Sequence, residues 1–241
     1  MNIHQFIRQF AFDKSGNLSS HIRQSYGYDG DLLPIFAENK GKLVHKWHHY
    51  IPIYDRYFSR FRGKRVRMLE IGVSEGGSLA MWRKYFGGDA IIYGIDINPA
   101  CAAFDGHDGR VRIGSQEDSE FLQSVVAEMG GVDIVLDDGS HIMRHIKSSL
   151  MTLFPLLSMG GIYLIEDLHA CYWSEYGGGY GSSESFFHVV SELINDMHHW
   201  YHGRGLARDG VGSALGAIHI HDSIVTLEKA KSISPVHSEV S

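Results

Sequence analysis

Two short tracts hold most of the chemistry available to this chain: Asp137-Asp138-Gly139-Ser140-His141 and Glu166-Asp167. Each acidic pair follows an apolar run, 132–136 and 161–165, so each is expected at the end of a buried strand. Four carboxylates brought to one rim repel one another unless a positive charge sits among them. A hard divalent cation with oxygen ligands answers that need, and Mg²⁺ keeps positions open for water or substrate. His141 stands three residues after Asp138, a spacing that aims its imidazole at a substrate oxygen on the same ion. Metal coordination lowers the pKa of a hydroxyl, and a neutral histidine then has only to remove the proton. The competing reading makes these acids helix N-caps, since each pair precedes a helix or a loop. Four of them at one rim favour the ligand reading.

A second set of residues points to a nucleoside. The apolar run 66–71 leads into Glu70-Ile71-Gly72-Val73-Ser74-Glu75-Gly76-Gly77-Ser78, a carboxylate followed by a small-residue loop. Gly72 lets backbone approach a ligand closely, and the helix expected to open at Ser78 favours an anionic group. The run 90–95 ends in Asp96, placed to accept both hydroxyls of a ribose. Gly114-Ser115-Gln116-Glu117-Asp118 follows the next strand and would border an adenine. The phosphate-cradling patterns Gly-x-x-x-x-Gly-Lys-Ser/Thr and Gly-x-Gly-x-x-Gly are both absent.

These loops need a scaffold, and apolar patterning supplies one. Strands are predicted at 66–71, 90–95, 111–113, 132–136 and 161–165, with helices at 78–86, 117–129, 142–157 and 183–201. Such alternation gives an α/β fold, a Rossmann-like, mostly parallel sheet with helices on both faces. The segments 216–221 and 223–227 read as an antiparallel pair closing one edge. Ligands of these sheets bind outside the carboxyl ends of the strands, where the acidic tracts and the Gly72 loop fall. Residues 1–64 are polar and aromatic-rich, with a helical patch at 52–61, and read as a cap on the substrate side. The main domain is expected at 65–230 and a tail at 231–241. The loop 171–183 carries Trp173, Tyr176 and Tyr180 among glycines, a composition suited to a lid that stacks on a sugar or a flat acceptor.

Composition narrows the partners. A formal net charge of -6 and the lack of a dense Lys/Arg run argue against nucleic acid. The basic stretch 60–67 reads as a solvated lead-in to the first strand. Cys101 and Cys171 make neither a disulfide framework nor a zinc site. No apolar run reaches the roughly 18 residues of a spanning helix, and the N-terminus has no signal-peptide pattern, so a cytoplasmic protein off the membrane is expected. The aromatic cap and the glycine-rich loop are expected contact surfaces of a homo-oligomer.

Taken as a set, Leu69-Glu70-Ile71-Gly72, Gly94-Ile95-Asp96 and Gly114-Ser115-Gln116 resemble the cofactor motifs of class I S-adenosylmethionine (SAM)-dependent methyltransferases. The resemblance runs over about 66–166 and implies SAM as cofactor, with Glu70, Gly72, Ser78, Asp96, Ser115 and Gln116 around it. Asp137-Asp138-Gly-Ser-His141 with Glu166-Asp167, and the upstream tract from Lys46 to Tyr54, resemble more narrowly the metal-dependent sugar O-methyltransferases of macrolide biosynthesis, the mycinamicin 2″-O-methyltransferase type. That likeness implies Asp138, Glu166 and Asp167 as ligands of Mg²⁺ or another divalent cation, and His141 as general base. It also implies Asp137 near the sulfonium and amino end of SAM, and a glycoside or saccharide as acceptor. Catechol O-methyltransferases share the same logic, since a catechol and a sugar diol both offer a chelating oxygen pair. A non-haem iron oxygenase would need two histidines and a carboxylate; the one His-x-Glu, His237-Ser238-Glu239, falls in the expected tail. A non-catalytic SAM-binding protein is disfavoured by the acidic cluster beside His141.

Overall fold

The computed structural model describes Phe10, residues 16–202 and residues 211–241. The first stretch of the expected cap, residues 1–9 and 11–15, therefore lies outside the described residues. Seven strands form one sheet: β1 (Arg67–Ile71), β2 (Ile91–Asp96), β3 (Arg110–Ile113), β4 (Val132–Asp137), β5 (Leu157–Ile165), β6 (Leu215–His221) and β7 (Ile224–Lys229). Their order is β3-β2-β1-β4-β5-β7-β6, with β1 to β5 parallel and β7 antiparallel to both of its neighbours. This is the predicted sheet, including the antiparallel pair at its end. Register pairs Ile71 with Asp137 and Asp137 with Ile165, which sets Gly72, Asp138 and Glu166 at one rim.

Helices cover both faces. On one side lie α1 (Leu18–Tyr26), α2 (Leu32–Ala37), α3 (Tyr50–Phe58) and α4 (Gly77–Phe86). The other side holds α5 (Ser119–Met129), α6 (Met143–Leu153) and α7 (Phe186–Met197), followed by the single turn α8 (His199–His202). Side chains alternate across a strand, and each face has its own apolar cluster. Met68, Ile134, Leu136, Ile162 and Leu164 pack with the cap and α4, whereas Leu69, Ile71, Val135, Tyr163 and Ile165 pack with α5, α6 and α7. Within the first cluster Tyr54 stacks on Phe58, Trp82 meets both edge-on and Phe86 tilts against Phe58, so the described cap packs into the same apolar layer as α4.

Local chemistry sets the ends. Asp118 caps α5 by accepting from the amides of Glu120 and Phe121, and Gly130 ends it in the left-handed region. Two predicted helices differ from the structure. The span 142–157 stops as an α-helix at Leu153, because Pro155 cannot donate to the helical ladder; a 3₁₀ turn (Phe154–Leu156) follows and β5 begins at Leu157. The span 183–201 opens later, where Ser185 accepts from the Phe187 amide, and breaks at His198. Residues 230–241 have no regular structure and are exposed. Among the described residues no helix is long and apolar enough to cross a membrane.

Candidate active site

Strand alternation decides which way each acid faces. Glu70, Asp138 and Glu166 continue the series that packs toward the cap, while Asp137 continues the series that packs toward α6. Asp137 is accordingly buried among Gln116 Nε2 (3.2 Å), Ser149 Oγ (2.6 Å) and the Tyr163 hydroxyl (3.1 Å), all donating to its carboxylate. Burial pushes this carboxyl above its ordinary range, and the bonds from Ser149 and Tyr163 oppose that rise. Gln116 also accepts from the Ser140 amide at 2.8 Å, so it ties the third loop to the fourth. Ser115 Oγ accepts from the Glu117 amide at 3.2 Å.

The cap-facing acids meet three residues of the cap. Lys46 Nζ donates to both Asp138 and Glu166, and its side chain is only 4% exposed. Tyr54 donates its hydroxyl to the other oxygen of Glu166. The Tyr50 hydroxyl donates to Asp167 Oδ1 at 2.7 Å and accepts from the Asp167 amide at 3.2 Å. Burial works against the charge of Asp138, yet Lys46 holds that carboxyl below its usual range. Glu166 is pushed well above its own, by burial and by the charge of Asp138. Burial lowers the Lys46 ammonium, but Asp138, Glu166 and Glu70 together outweigh it and keep the lysine charged.

His141 and Asp167 both adopt left-handed backbone, with φ of 57° and 58°. Such conformations cost about 1–3 kcal/mol and persist where surroundings enforce them. Here the turn at Asp167 brings its side chain off the strand's alternation and back toward Tyr50 and His141. His141 Nε2 lies 3.7 Å from Asp167 Oδ2 and 3.9 Å from Asp138 Oδ1, too far for hydrogen bonds but close enough for charge to matter. Asp138, His141 and Asp167 each present one ligand atom within 4.8 Å of the others.

The nucleoside side adjoins this cluster. Glu70 is fully buried and accepts from Ser78 Oγ (2.8 Å) and Trp82 Nε1 (3.2 Å). Burial pushes its carboxyl up to about 7, against the pull of Lys46 and Ser78. Asp96 accepts from the amides of Val73 (2.9 Å), Ser74 (3.0 Å) and Asn98 (2.8 Å), bonds that hold it low despite partial burial. It thereby fixes the loop after β1, and a carboxylate so bonded keeps lone-pair capacity for a further donor. Gly72 sits at φ 96°, and a Cβ there would lie 2.0 Å from the Asp138 carbonyl oxygen. Only glycine lets the β1 and β4 loops come this close.

A cavity of about 320 Å³ joins the two halves. Its wall brings Gly72, Ser78, Asp138, His141, Glu166 and Asp167 together with Lys46, Trp47 and Tyr50. Glu70 stands behind the wall through Ser78 and Asp96 through the Val73 and Ser74 amides, whereas Ser115, Gln116 and Asp137 do not line the cavity. Lys46, Tyr50 and Tyr54 are the site residues that motif reading did not single out. Tyr50 and Tyr54 lie four apart on α3, a spacing that aligns them on one face, whereas Lys46 precedes the helix and carries no periodic signal.

Residues 69–168 match the family described as "Methyltransferase domain". The 8-demethyl-8-(2-methoxy-alpha-L-rhamnosyl)-tetracenomycin-C 3'-O-methyltransferase of Streptomyces olivaceus is 33% identical, over 87% of this chain and 56% of its own length. The demethylmacrocin O-methyltransferase of Streptomyces fradiae is 38% identical, over 65% of this chain and 42% of its own. A solved structure of the MycE methyltransferase from the mycinamycin biosynthetic pathway, in complex with Mg and SAH, superposes with a TM-score of 0.75 at 32% identity. It covers 85% of this chain, which in turn covers 56% of that one. The chain thus spans about half the length of the curated relatives it matches. Strand order, the acidic rim beyond β4 and β5, and these likenesses converge on one conclusion: the chain carries a class I methyltransferase domain similar to that of the sugar O-methyltransferases.

Proposed function

We propose that this chain is a SAM-dependent, divalent-metal-dependent O-methyltransferase acting on a sugar hydroxyl of a glycosylated small molecule. The observation that carries the reading is one cavity in which Asp138, His141 and Asp167 converge beside the Gly72 loop. Its volume is at the lower end of small-molecule sites, about 300–1,000 Å³. The donor set fits a hard cation: its carboxylates are oxygen ligands, and the rim already demands a positive charge, which Lys46 meets. Asp138, Glu166 and Asp167 would hold the ion, and Glu70, Gly72, Ser78, Asp96, Ser115, Gln116 and Asp137 would surround SAM directly or through the loops they fix. When bound, the ion supplies Lewis acidity to a substrate oxygen and SAM supplies the methyl group.

This chain's own residues then handle the proton and the alignment. His141 accepts the hydroxyl proton at Nε2, which lies 3.7 Å from Asp167 Oδ2 and 3.9 Å from Asp138 Oδ1. Tyr50 keeps Asp167 from rotating away, and the Gly72–Asp138 contact holds the two loops in a fixed relation for an in-line displacement. Trp173 and Tyr176, in the loop beyond β5, lie against His169 and His141 with ring centroids 4.9 and 6.4 Å apart. His141→Ala is expected to keep SAM affinity and to lose turnover by about 10²–10⁴-fold. Calorimetry with SAM and a methyl-transfer assay on one preparation check this, and unchanged turnover would remove His141 as the base.

A further inference from the structure

Lys46 comes from the segment ahead of α3, yet its ammonium bridges Asp138 and Glu166, two of the three carboxylates that the proposed function gives to a metal ion. The Lys46 and Glu166 side chains are shielded, at 4% and 1% exposed, while Asp138 is 26% exposed. Among the described residues the ligand atoms within mutual reach are those of Asp138, His141 and Asp167; Glu166 lies outside that group, and its two oxygens accept from Lys46 and Tyr54. The three-carboxylate set and the Lys46 bridge are therefore alternatives for the same oxygens. An ammonium and a divalent ion also repel at this range. The lysine stem is four carbons long and flexible, and the cavity beside it gives the charge somewhere to go.

We propose that Lys46 is a built-in counter-cation of the acidic rim, which holds Asp138 and Glu166 together in the metal-free protein and competes with the divalent ion for them. Lys46 then sets the affinity for metal downward and keeps the empty rim folded. This inference rests on the metal-dependent reading above, and it makes Lys46 a positioning residue with an unusual signature. Loss of a merely structural residue weakens metal binding, whereas loss of a competitor strengthens it.

The test is titration of the full chain with Mn²⁺ alone by calorimetry, for wild type, Lys46→Met and Lys46→Gln. Glutamine removes the charge while retaining a donor for the two acids, which guards against a methionine variant that does not fold. The expected result is binding at least tenfold tighter in the variants, with a lower melting temperature without metal and a larger rise on adding Mn²⁺. Variant affinity equal to or weaker than a measurable wild-type affinity overturns the role of Lys46 and leaves the metal site standing. Absence of Mn²⁺ binding in wild type and variants alike overturns both this inference and the metal-dependent reading.

Discussion

Individual side chains here are set by what surrounds them more than by their type. Glu70 and Asp96 both end strands, yet Glu70 is raised by burial and Asp96 is held low by three backbone amides. Glu70 moves from its ordinary 4.5 to about 7, so the folded state binds more protons than the unfolded one between those values. Its contribution favours the fold below about pH 4.5 and is lost as pH rises through about 7. The shift corresponds to at most about 3 kcal/mol at 1.36 kcal/mol per unit. Glu70→Gln removes this titration while its carbonyl oxygen still accepts from one of the two donors, Ser78 or Trp82. Its melting temperature should fall less steeply than that of wild type between pH 5 and 7.5, and parallel curves would show that Glu70 does not titrate in that window.

Among the elements, α3 and the segment before it do work that their sequence disguises. Acids at strand ends are legible because an apolar run that stops at a carboxylate marks a loop at the sheet's rim. The five parallel strands and the closing pair were readable for the same reason, as apolar runs between turn residues. Lys46 and its partners were not, since they reach Asp138 and Glu166 across 92 and 120 residues of chain and periodicity is blind to such pairings. Aromatic character also hid the polar tips of Tyr50 and Tyr54, whose rings are buried in the core while their hydroxyls meet the acids. The left-handed turns at His141 and Asp167 were equally hidden, because both residue types occur in ordinary backbone far more often. If Tyr50 orients a metal ligand, Tyr50→Phe should weaken Mn²⁺ binding about tenfold or more, in line with outer-shell partners elsewhere. Mn²⁺ titration checks this, and an unchanged affinity would reduce Tyr50 to a packing residue. Opposite signs for the Tyr50 and Lys46 variants would separate an orienting partner from a competing one.

At the scale of the molecule, one sheet carries two apolar layers, and the site lies where both meet solvent at the carboxyl rim. Glu70 on β1, and Asp138 and Glu166 one residue beyond β4 and β5, face the cap side. The odd position of β4 sends Asp137 into the other layer. The chemistry is thereby split: a cation-demanding cluster under the cap, and a buried acid that braces the loops from behind. The chemistry expected of this cluster is transfer of a methyl group that depends on the ion it would bind. The most direct measurement is transfer of labelled methyl from SAM to a panel of glycosides and catechols, with Mg²⁺ and with a chelator. Product is expected on glycosides only when metal is present; equal product in the chelator would remove the metal-dependent mechanism.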